Sequence, residues 1–311
     1  MYSPVRYEGL VFRPPSEADS LIIQATIGCS NNFCDFCYSY KMKKFRIRPI
    51  QEVLDEISDA KGFFGNRVRK VFFADGDALA CDNDYLLELF NFTKAMFPQL
   101  QSISLYATAK NVLERKNPLE ELIALKKAGL KMIYLGIESG DDVILKERNK
   151  HIIAQEQEDA CKIILEAGIE LSVTIIIGLG GVERWRENAI ETGKIISRIA
   201  EAMDAKSKFY VGALTLMVPS KKTGFPVTVY LAKKVEKGEF KVLNSHEILK
   251  EMHLLIENIN TKHEIIFRSN HASNYLPIKA DLPQDKERVL RLIDDGLKGN
   301  ISLRPEFIRG L

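Results

Sequence analysis

The regular alternation of strand-like and helix-like segments limits the possible folds of this chain more than any other feature. Runs of branched apolar residues predict strands at residues 21–27, 70–74, 102–107, 132–137, 172–178 and 209–217. Apolar residues spaced three and four apart predict helices between these strands, at residues 50–61, 84–96, 118–128, 155–166 and 186–203. Repeated strand–helix units favour a parallel sheet covered by helices. We therefore predict an α/β fold, a partial TIM-like barrel of the (β/α)6 type.

Residues at the ends of these segments support the predicted boundaries. Gly129 and Gly168 each follow a predicted helix and precede a strand, where a left-handed glycine ends a helix without steric cost. The composition changes at residues 219–226, which we interpret as the end of the barrel. The predicted organisation is an N-terminal extension at residues 1–19, a core barrel at 20–220 and a mainly helical C-terminal extension at 221–311.

Composition limits the class of protein and its partners. The 46% of hydrophobic residues is typical of a globular protein with a sizeable core. The formal net charge of +2 does not indicate nucleic acid or an anionic membrane as a partner. Five cysteines, three of them close together, argue against a disulfide framework and favour a reducing compartment. Without a secretory leader or a long apolar segment in the sequence, we predict a cytoplasmic location and no membrane span.

Three cysteines, Cys29, Cys34 and Cys37, lie within nine residues directly after the first predicted strand. A fully ligated iron–sulfur cluster or a structural zinc ion takes four protein ligands. The two remaining cysteines, Cys81 and Cys161, are isolated and distant in sequence. The spacing therefore predicts a cluster with one iron left open for chemistry. A structural metal knuckle and a group of redox-sensing thiols are the alternatives.

Polar residues and glycines also follow three of the later strands. They are Asp75, Gly76 and Asp77 after the second strand, Glu138 and Ser139 after the fourth, and Gly178 at the end of the fifth. The carboxyl ends of parallel strands are where α/β folds place their sites, and carboxylates accept hydrogen bonds from ammonium groups. Each motif also has an ordinary structural interpretation. Asp-Gly-Asp is a common turn, Glu138 can pair with Lys150, and glycines after a strand also suit a phosphate loop.

The first strand, the cysteine loop and the aromatic Phe36 together resemble the cluster loop of radical S-adenosylmethionine (SAM) enzymes. The common spacing in that family places three residues between the first two cysteines, whereas this chain has four. The Gly-Ile-Glu-Ser-Gly stretch at residues 136–140 closely resembles the end of the fourth strand in one subgroup of this family. That subgroup contains oxygen-independent coproporphyrinogen oxidase and the elongator catalytic subunit. The resemblance covers about residues 20–220, and its motifs follow successive strands in the family's order.

The resemblance implies the cofactors and their contacts. It implies a [4Fe–4S] cluster on Cys29, Cys34 and Cys37, with SAM bound to the open iron and Phe36 against the adenine. The segment Asp75, Gly76 and Asp77 stands where the family has a Gly-Gly-Glu-like motif that binds the SAM amino group. The other implied SAM contacts are Glu138 and Ser139 with Lys150, the strand end Ile177 and Gly178, and Leu216 in the adenine pocket. Leu216 also suits an ordinary core position.

The activity implied by the resemblance is reductive cleavage of SAM to methionine and a 5′-deoxyadenosyl radical, which abstracts hydrogen from a substrate. A reducing partner such as flavodoxin or ferredoxin is implied with it. The sequence has no second group of three or four cysteines, so we expect no auxiliary iron–sulfur cluster. We therefore expect a stand-alone enzyme whose substrate is a small or medium-sized molecule rather than a nucleic acid.

The C-terminal region is predicted to specify the substrate. Residues 265–277 follow a short apolar run and include Arg268 and His271, which we predict to contact substrate. A polar loop that caps helices is the alternative interpretation. The alternative function is a non-catalytic iron–sulfur or zinc-binding protein that acts as an electron carrier, regulator or scaffold. That function requires a fourth ligand, for which Cys81 is the nearest candidate.

Overall fold

The computed structural model describes residues 4–204 and 206–310. The chain divides into two compact units, and segments of the sequence alternate between them. The first unit contains the residues up to Asn32, Ser39–Leu135 and Ile163–Leu171, and the second contains Phe33–Tyr38, Gly136–Lys162 and the residues from Ser172 onward. Cys29 thus belongs to the first unit, and Cys34 and Cys37 belong to the second.

The first unit consists of strands that alternate with helices. Its elements are β1 (Leu21–Gln24), β2 (Thr26–Ile27), β3 (Arg46–Ile47), α1 (Ile50–Phe64), β4 (Lys70–Ala74), α2 (Asn83–Met96), β5 (Ser102–Ala107), α3 (Ala109–Leu113), α4 (Pro118–Ala128) and most of β6 (Leu130–Glu138). The successive pairs β1–β4, β4–β5 and β5–β6 are parallel. The short strands β2 and β3 form a separate antiparallel pair.

The second unit continues the alternation and then adds an antiparallel pair. Its elements are α5 (Asp142–Glu147), most of α6 (Ala154–Glu166) and of β7 (Glu170–Ile177), α7 (Gly181–Ala200), β8 (Phe209–Thr215), α8 (Tyr230–Glu236), α9 (Ser245–Asn258), β9 (Ile265–Arg268), β10 (Lys279–Leu282) and α10 (Lys286–Leu297). Strand β9 is parallel to β8, and β10 is antiparallel to β9.

The principal sheet has eight strands in the order β1, β4, β5, β6, β7, β8, β9, β10. The predicted α/β class with a partial TIM-like barrel is confirmed. All six predicted strands occur, although the first is interrupted at Ala25, and β9 and β10 come from the region predicted as mainly helical. The predicted domain boundaries after residues 19 and 220 stay predictions. Within the described residues, no helix is both long and apolar enough to cross a membrane.

Strand β4 is buried on both faces. Phe72 packs in one cluster with Ile22 and Tyr134, and Phe73 stacks on Phe90 of α2 with ring centroids 5.5 Å apart. Both phenylalanines are fully buried, and burial of such a side chain stabilises the fold by roughly 1.5–3 kcal/mol. The segment Asp75–Asp77 therefore directly follows a strand that is held rigidly by its buried side chains. At the helix ends, Gly129 has the predicted left-handed conformation, with φ of 119°.

Candidate active site

Asp75 anchors the backbone that leads to Cys29. The Asp75 side chain has no exposed surface, and its Oδ2 accepts hydrogen bonds from Gln24 Nε2 at 3.0 Å, Gly28 N at 2.9 Å and Lys43 Nζ at 2.7 Å. These bonds tie the end of β1, the residue before Cys29 and the segment after the cysteine run to the end of β4. Among the described residues, Asp75 Oδ1 is buried without a partner. That oxygen keeps the capacity to accept one further donor, such as an ammonium group.

Gly76 allows close packing next to Cys29. A Cβ atom at Gly76 would overlap the ring of Tyr40 and would lie 3.0 Å from Cys29 Cβ. A glycine is therefore required for Cys29 to approach the end of β4 this closely. Cys29 itself is half-buried. The close approach at Gly76 and the unpartnered oxygen of Asp75 are both compatible with a group bound beside Cys29.

Asp77 joins the ends of β4 and β5. It is fully buried, and its Oδ2 accepts hydrogen bonds from Ser30 Oγ, Asn111 Nδ2 and, at 3.4 Å, Thr108 Oγ1. Burial raises the pKa of Asp77 to about 6, and the hydrogen bonds from Ser30, Asn111 and Thr108 limit the rise. Since Thr108 caps α3 and Ser30 adjoins Cys29, Asp77 fixes the spacing of two strand ends. The predicted contact of Asp75 and Asp77 with SAM stays a prediction.

Cys81, the nearest possible fourth ligand in sequence, lies in an unfavourable place for a thiolate. Its side chain is 1% exposed, and burial raises the pKa of the thiol to about 12, with a smaller contribution from the charge of Asp77. Metal ligation requires the thiolate form. A buried Cys81 behaves as a small apolar side chain, which favours the interpretation without a fourth cysteine ligand.

Asp35, inside the cysteine run, anchors its second half. The side chain is 1% exposed, and Oδ2 lies 3.0 Å from Lys234 Nζ on α8 and 3.4 Å from Arg148 Nη1. The backbone is held as well, because Asp35 N donates to Arg148 O at 3.1 Å and Leu231 N donates to Asp35 O at 3.0 Å. The segment between Cys34 and Cys37 is thus fixed by an ion-pair cluster and by two backbone hydrogen bonds.

Phe36 and Leu216, both predicted to contact adenine, lie against the same apolar cluster. The buried members of this cluster are Val229, Leu231, Ala232 and Phe240, and the side chains of Phe36 and Leu216 pack on it while staying partly exposed. An apolar surface that is only partly covered suits the face of an aromatic base. The structure therefore brings together two residues that are far apart in sequence and were assigned to one pocket.

Glu138 and Lys150 form the ion pair that was considered as the structural alternative. Lys150 Nζ lies 3.3 Å from Glu138 Oε1, and the two side chains are 12% and 13% exposed. Glu138 has a φ of +63°, a conformation that costs energy for a residue with a Cβ atom. A Cβ atom at Gly136 would overlap the Glu138 carboxylate, which explains the glycine in this strand. Backbone strain of this kind concentrates at functional sites, and the implied contact of Glu138 with SAM stays a prediction.

Ser139 and Gly178 are held by a buried network that the sequence did not reveal. Ser139 Oγ donates to Asn188 Oδ1 at 2.6 Å, and Asn188 Nδ2 donates to Glu251 Oε1 at 2.7 Å. Gly178 N donates to both carboxyl oxygens of Glu251, at 3.0 and 3.1 Å. Ser139 and Glu251 have no exposed surface. The Ser139 hydroxyl is therefore used inside the protein, and its predicted contact with SAM stays a prediction.

Arg268 and His271 are placed differently from each other. Arg268 Nη1 donates to Phe267 O and Ala280 O, both at 2.8 Å, so its guanidinium braces β9 against β10. His271 Nδ1 lies 3.0 Å from Ser273 Oγ, and burial lowers the pKa of the imidazole, with a smaller effect of Arg304. A neutral imidazole suits a hydrogen-bonding role toward a substrate. Both substrate contacts stay predictions.

The loop that carries His271 is clamped from two directions. Asn274 is buried, with its amide bonded to Thr215 Oγ1 at 2.9 Å and to Ala213 O at 2.9 Å on β8. Arg304 Nη1 donates to the carbonyls of His271, Ala272 and Asn274 at 2.8–2.9 Å. These contacts order the loop at residues 269–275, in which Asn270 and Ala272 are exposed and His271 is half-buried.

Two of these anchoring residues gave weak signals in the sequence. Glu251 interrupts the apolar face of its helix, between Ile248 and Leu255, and a charged residue at such a position marks a buried polar contact. Asp35 stood inside the cysteine run, but its partners Arg148 and Lys234 come from distant segments. Contacts over such sequence separations have no signature in a single sequence.

The sequence profile of the Radical SAM superfamily matches residues 23–192, more than half of the chain. The chain therefore belongs to the radical SAM superfamily, and the resemblance inferred from the cysteine loop is confirmed. Members of this superfamily use a [4Fe–4S] cluster and SAM, and these are the cofactors of this chain.

Comparisons with individual proteins agree with this family. The chain is 23% identical over 272 residues to the threonylcarbamoyladenosine tRNA methylthiotransferase MtaB of Rickettsia prowazekii, a match that covers 83% of this chain and 60% of the relative. Across the curated relatives it matches, the chain spans 25–60% of their length.

Solved structures show the same fold at low sequence identity. Methylornithine synthase (PylB) aligns with a TM-score of 0.50 and 16% identity over 92% of this chain and 83% of that one. SuiB of Streptococcus suis aligns with a TM-score of 0.52 and 14% identity over 81% of this chain and 49% of that one. At these identities the likeness concerns the fold alone.

Proposed function

We propose that this chain is an enzyme that reductively cleaves SAM and uses the resulting 5′-deoxyadenosyl radical to abstract hydrogen from a substrate. In this proposal Cys29, Cys34 and Cys37 hold the [4Fe–4S] cluster. The observation that carries the proposal is the anchoring of the cysteine run by buried acids. Asp75 fixes the backbone before Cys29, and Asp35 fixes the segment from Cys34 to Cys37. Such support is what a preorganised metal site requires.

The other residues of the proposed site bind and orient SAM. The cluster, when bound, supplies the electron that cleaves SAM. In this proposal Asp75 Oδ1, which is buried without a partner among the described residues, accepts a hydrogen bond from the SAM ammonium group. The Glu138 carboxylate accepts hydrogen bonds from the ribose hydroxyls. Phe36 and Leu216 offer the apolar surface for the adenine and exclude water from it.

Anaerobic reconstitution tests this function directly. We expect the protein, after reconstitution with iron and sulfide, to form 5′-deoxyadenosine when dithionite and SAM are added, measured by chromatography. Reductive SAM cleavage is refuted if the reconstituted protein carries its cluster, has no measurable affinity for SAM and forms no 5′-deoxyadenosine. That outcome would favour the alternative, a non-catalytic iron–sulfur or zinc-binding protein.

The proposed activity needs an electron donor, and a basic segment next to the cysteine run suits an acidic one. Residues 221–241 contain six lysines and two glutamates, a net charge of +4 where the whole chain has +2. The segment contacts the cysteine run through the Asp35–Lys234 pair and through the rings of Tyr38 and Phe225, whose centroids are 5.5 Å apart. We infer that a flavodoxin or ferredoxin docks here, because opposite charges steer association.

A cytoplasmic location stays a prediction.

Charge reversal at this segment tests the docking of the donor. Lys233 and Lys237 are exposed and lie outside the proposed SAM site. We expect Lys233→Glu/Lys237→Glu to slow flavodoxin-driven SAM cleavage about 3- to 10-fold at low salt, with a smaller difference at high salt. The dithionite-driven rate should stay unchanged, as should both rates in the control Lys262→Glu/Lys298→Glu. An unchanged flavodoxin-driven rate would refute this docking surface.

A further inference from the structure

A buried hydrogen-bond network links α9 to two strand ends of the proposed SAM site. It runs from Glu251 to Gly178 N at the end of β7, and from Glu251 through Asn188 to Ser139 at the end of β6. We propose that Glu251 is a positioning residue that holds these two strand ends in the geometry that receives SAM. This inference rests on the proposed function, because it takes the two strand ends to be SAM contacts.

Gly178 is held in a conformation that depends on its partner. Its φ is +89°, and a Cβ atom there would lie 3.0 Å from Ile248 Cδ1 and 3.5 Å from Leu216 Cβ. Gly178 thus sits between α9 and the proposed adenine contact Leu216. Its N–H is satisfied by the two oxygens of Glu251. Loss of that acceptor would leave a buried donor unpaired and would free the turn to change conformation.

Asn188 transmits the position of Glu251 to the end of β6. Its Nδ2 donates to Glu251 Oε1 at 2.7 Å and to Ile176 O at 3.0 Å, which uses both amide protons. Its Oδ1 accepts from Ser139 Oγ at 2.6 Å and from Thr192 Oγ1 at 3.4 Å. The amide therefore has one favourable orientation, and Glu251 contributes to fixing it.

The carboxyl group of Glu251 is isolated from other charges. Burial raises its pKa to about 8, and the hydrogen bonds from Gly178 and Asn188 oppose the rise. Among the described residues, no charged side chain contributes to this shift. On the neighbouring helices Glu191 pairs with Lys194 of α7, and Asp294 of α10 pairs with His253 of α9. The folded protein therefore holds a proton on Glu251 near neutral pH and loses it as the pH rises through about 8.

Binding of SAM to the reconstituted holoenzyme tests the positioning role. We expect Glu251→Ala to raise the dissociation constant for SAM about tenfold or more, and Glu251→Gln, which keeps the shape and one acceptor, to raise it by less than about threefold. The loss should appear in KM for SAM and not in kcat at saturation. Iron and sulfide content should match the wild type. The control is Glu257→Gln, which changes an exposed glutamate on the same helix and should leave binding unchanged.

The apoprotein gives a second readout that does not depend on SAM. Because the pKa of Glu251 is raised on folding, its contribution to stability is fully present below the ordinary carboxyl range and is lost as the pH rises toward about 8. Relative to Glu251→Gln, the wild type should lose unfolding free energy between pH 5 and pH 8, measured by chemical denaturation.

Three outcomes separate the possibilities. If Glu251→Ala keeps its cluster and binds SAM as tightly as the wild type, the positioning role is refuted. If Glu251→Ala does not fold, Glu251→Gln decides: parallel pH dependences of the wild type and this variant would refute the buried, protonated carboxyl group. If the wild type itself does not cleave SAM with dithionite, the proposed function fails, while the pH dependence of the apoprotein still tests Glu251.

Discussion

Replacement of Cys29, Cys34 or Cys37 by alanine is expected to abolish the formation of 5′-deoxyadenosine by the reconstituted protein. In the proposed site each cysteine supplies one of three thiolate ligands, and a cluster that loses one of them cannot hold SAM in place for cleavage. The expected activity is at or below the detection limit of the chromatographic assay. Iron and sulfide analysis, together with the visible absorbance of the cluster, should show a strong loss of cluster in each variant.

The two other cysteines provide matched controls for this experiment. Cys81 is 1% exposed and Cys161 is fully buried, and burial raises the pKa of both thiols. Neither thiol is favourably placed to form the thiolate that a metal requires. We expect Cys81→Ala and Cys161→Ala to keep their full cluster content and SAM cleavage. Loss of the cluster in Cys81→Ala would instead identify a fourth ligand and support the non-catalytic metalloprotein.

Elements with strong periodicity were predictable from the sequence. The helix predicted at residues 84–96 is Asn83–Met96 in the structure, and the strand predicted at 70–74 is Lys70–Ala74. The helix predicted at 186–203 lies within α7, Gly181–Ala200, whose backbone is non-helical at Arg184 (φ −131°, ψ 22°), so the regular helix begins close to the predicted start and ends three residues before the predicted end. Strand β10, with Lys279 and Asp281 exposed and only Ala280 and Leu282 buried, carries too short an alternation to be recognised.

The site residues were predictable only where a local motif marked them. The cysteine spacing and the aromatic Phe36 sufficed to infer the cofactors, which family membership bears out. The roles of buried polar side chains did not follow from the motifs. Asp77 was predicted, together with Asp75, to bind the SAM amino group, and this contact stays a prediction; the bonds of its carboxylate to Ser30, Asn111 and Thr108 had no signal in the sequence. A carboxylate at a strand end can bind a ligand or can hydrogen-bond to other parts of the protein. Which of these it does depends on residues distant in sequence, which a local motif does not show.

Removal of the Asp35 carboxylate is expected to destabilise the protein strongly and to weaken its hold on the cluster. Arg148 is 5% exposed, so Asp35→Ala would remove its buried carboxylate partner and leave only the 3.3 Å contact with Glu147, whose side chain is 54% exposed. Breaking a buried ion pair in this way costs about 3–5 kcal/mol of unfolding free energy. The ring of Phe240 lies 4.8 Å from the Arg148 guanidinium and offsets only a small part of that cost.

The effect on the cluster follows from the position of Asp35. Its side chain and backbone together hold the segment between Cys34 and Cys37, so its loss should increase the mobility of two of the three proposed ligands. We expect Asp35→Ala to show less than about half the wild-type iron content after reconstitution, because a site without its supporting contacts loses affinity about 10- to 100-fold. Denaturant unfolding and iron analysis measure the two effects separately.

An exposed aspartate supplies the control, and a conservative change separates charge from shape. Asp159 lies on the exposed surface of α6. Asp159→Ala should change the unfolding free energy by less than about 0.5 kcal/mol and should leave the iron content unchanged. Asp35→Asn keeps the side-chain shape but removes the charge that Arg148 and Lys234 share. If the charge is what holds the segment, Asp35→Asn should lose nearly as much iron as Asp35→Ala. Wild-type stability and iron content in Asp35→Ala would show that the cysteine run does not depend on this ion-pair cluster.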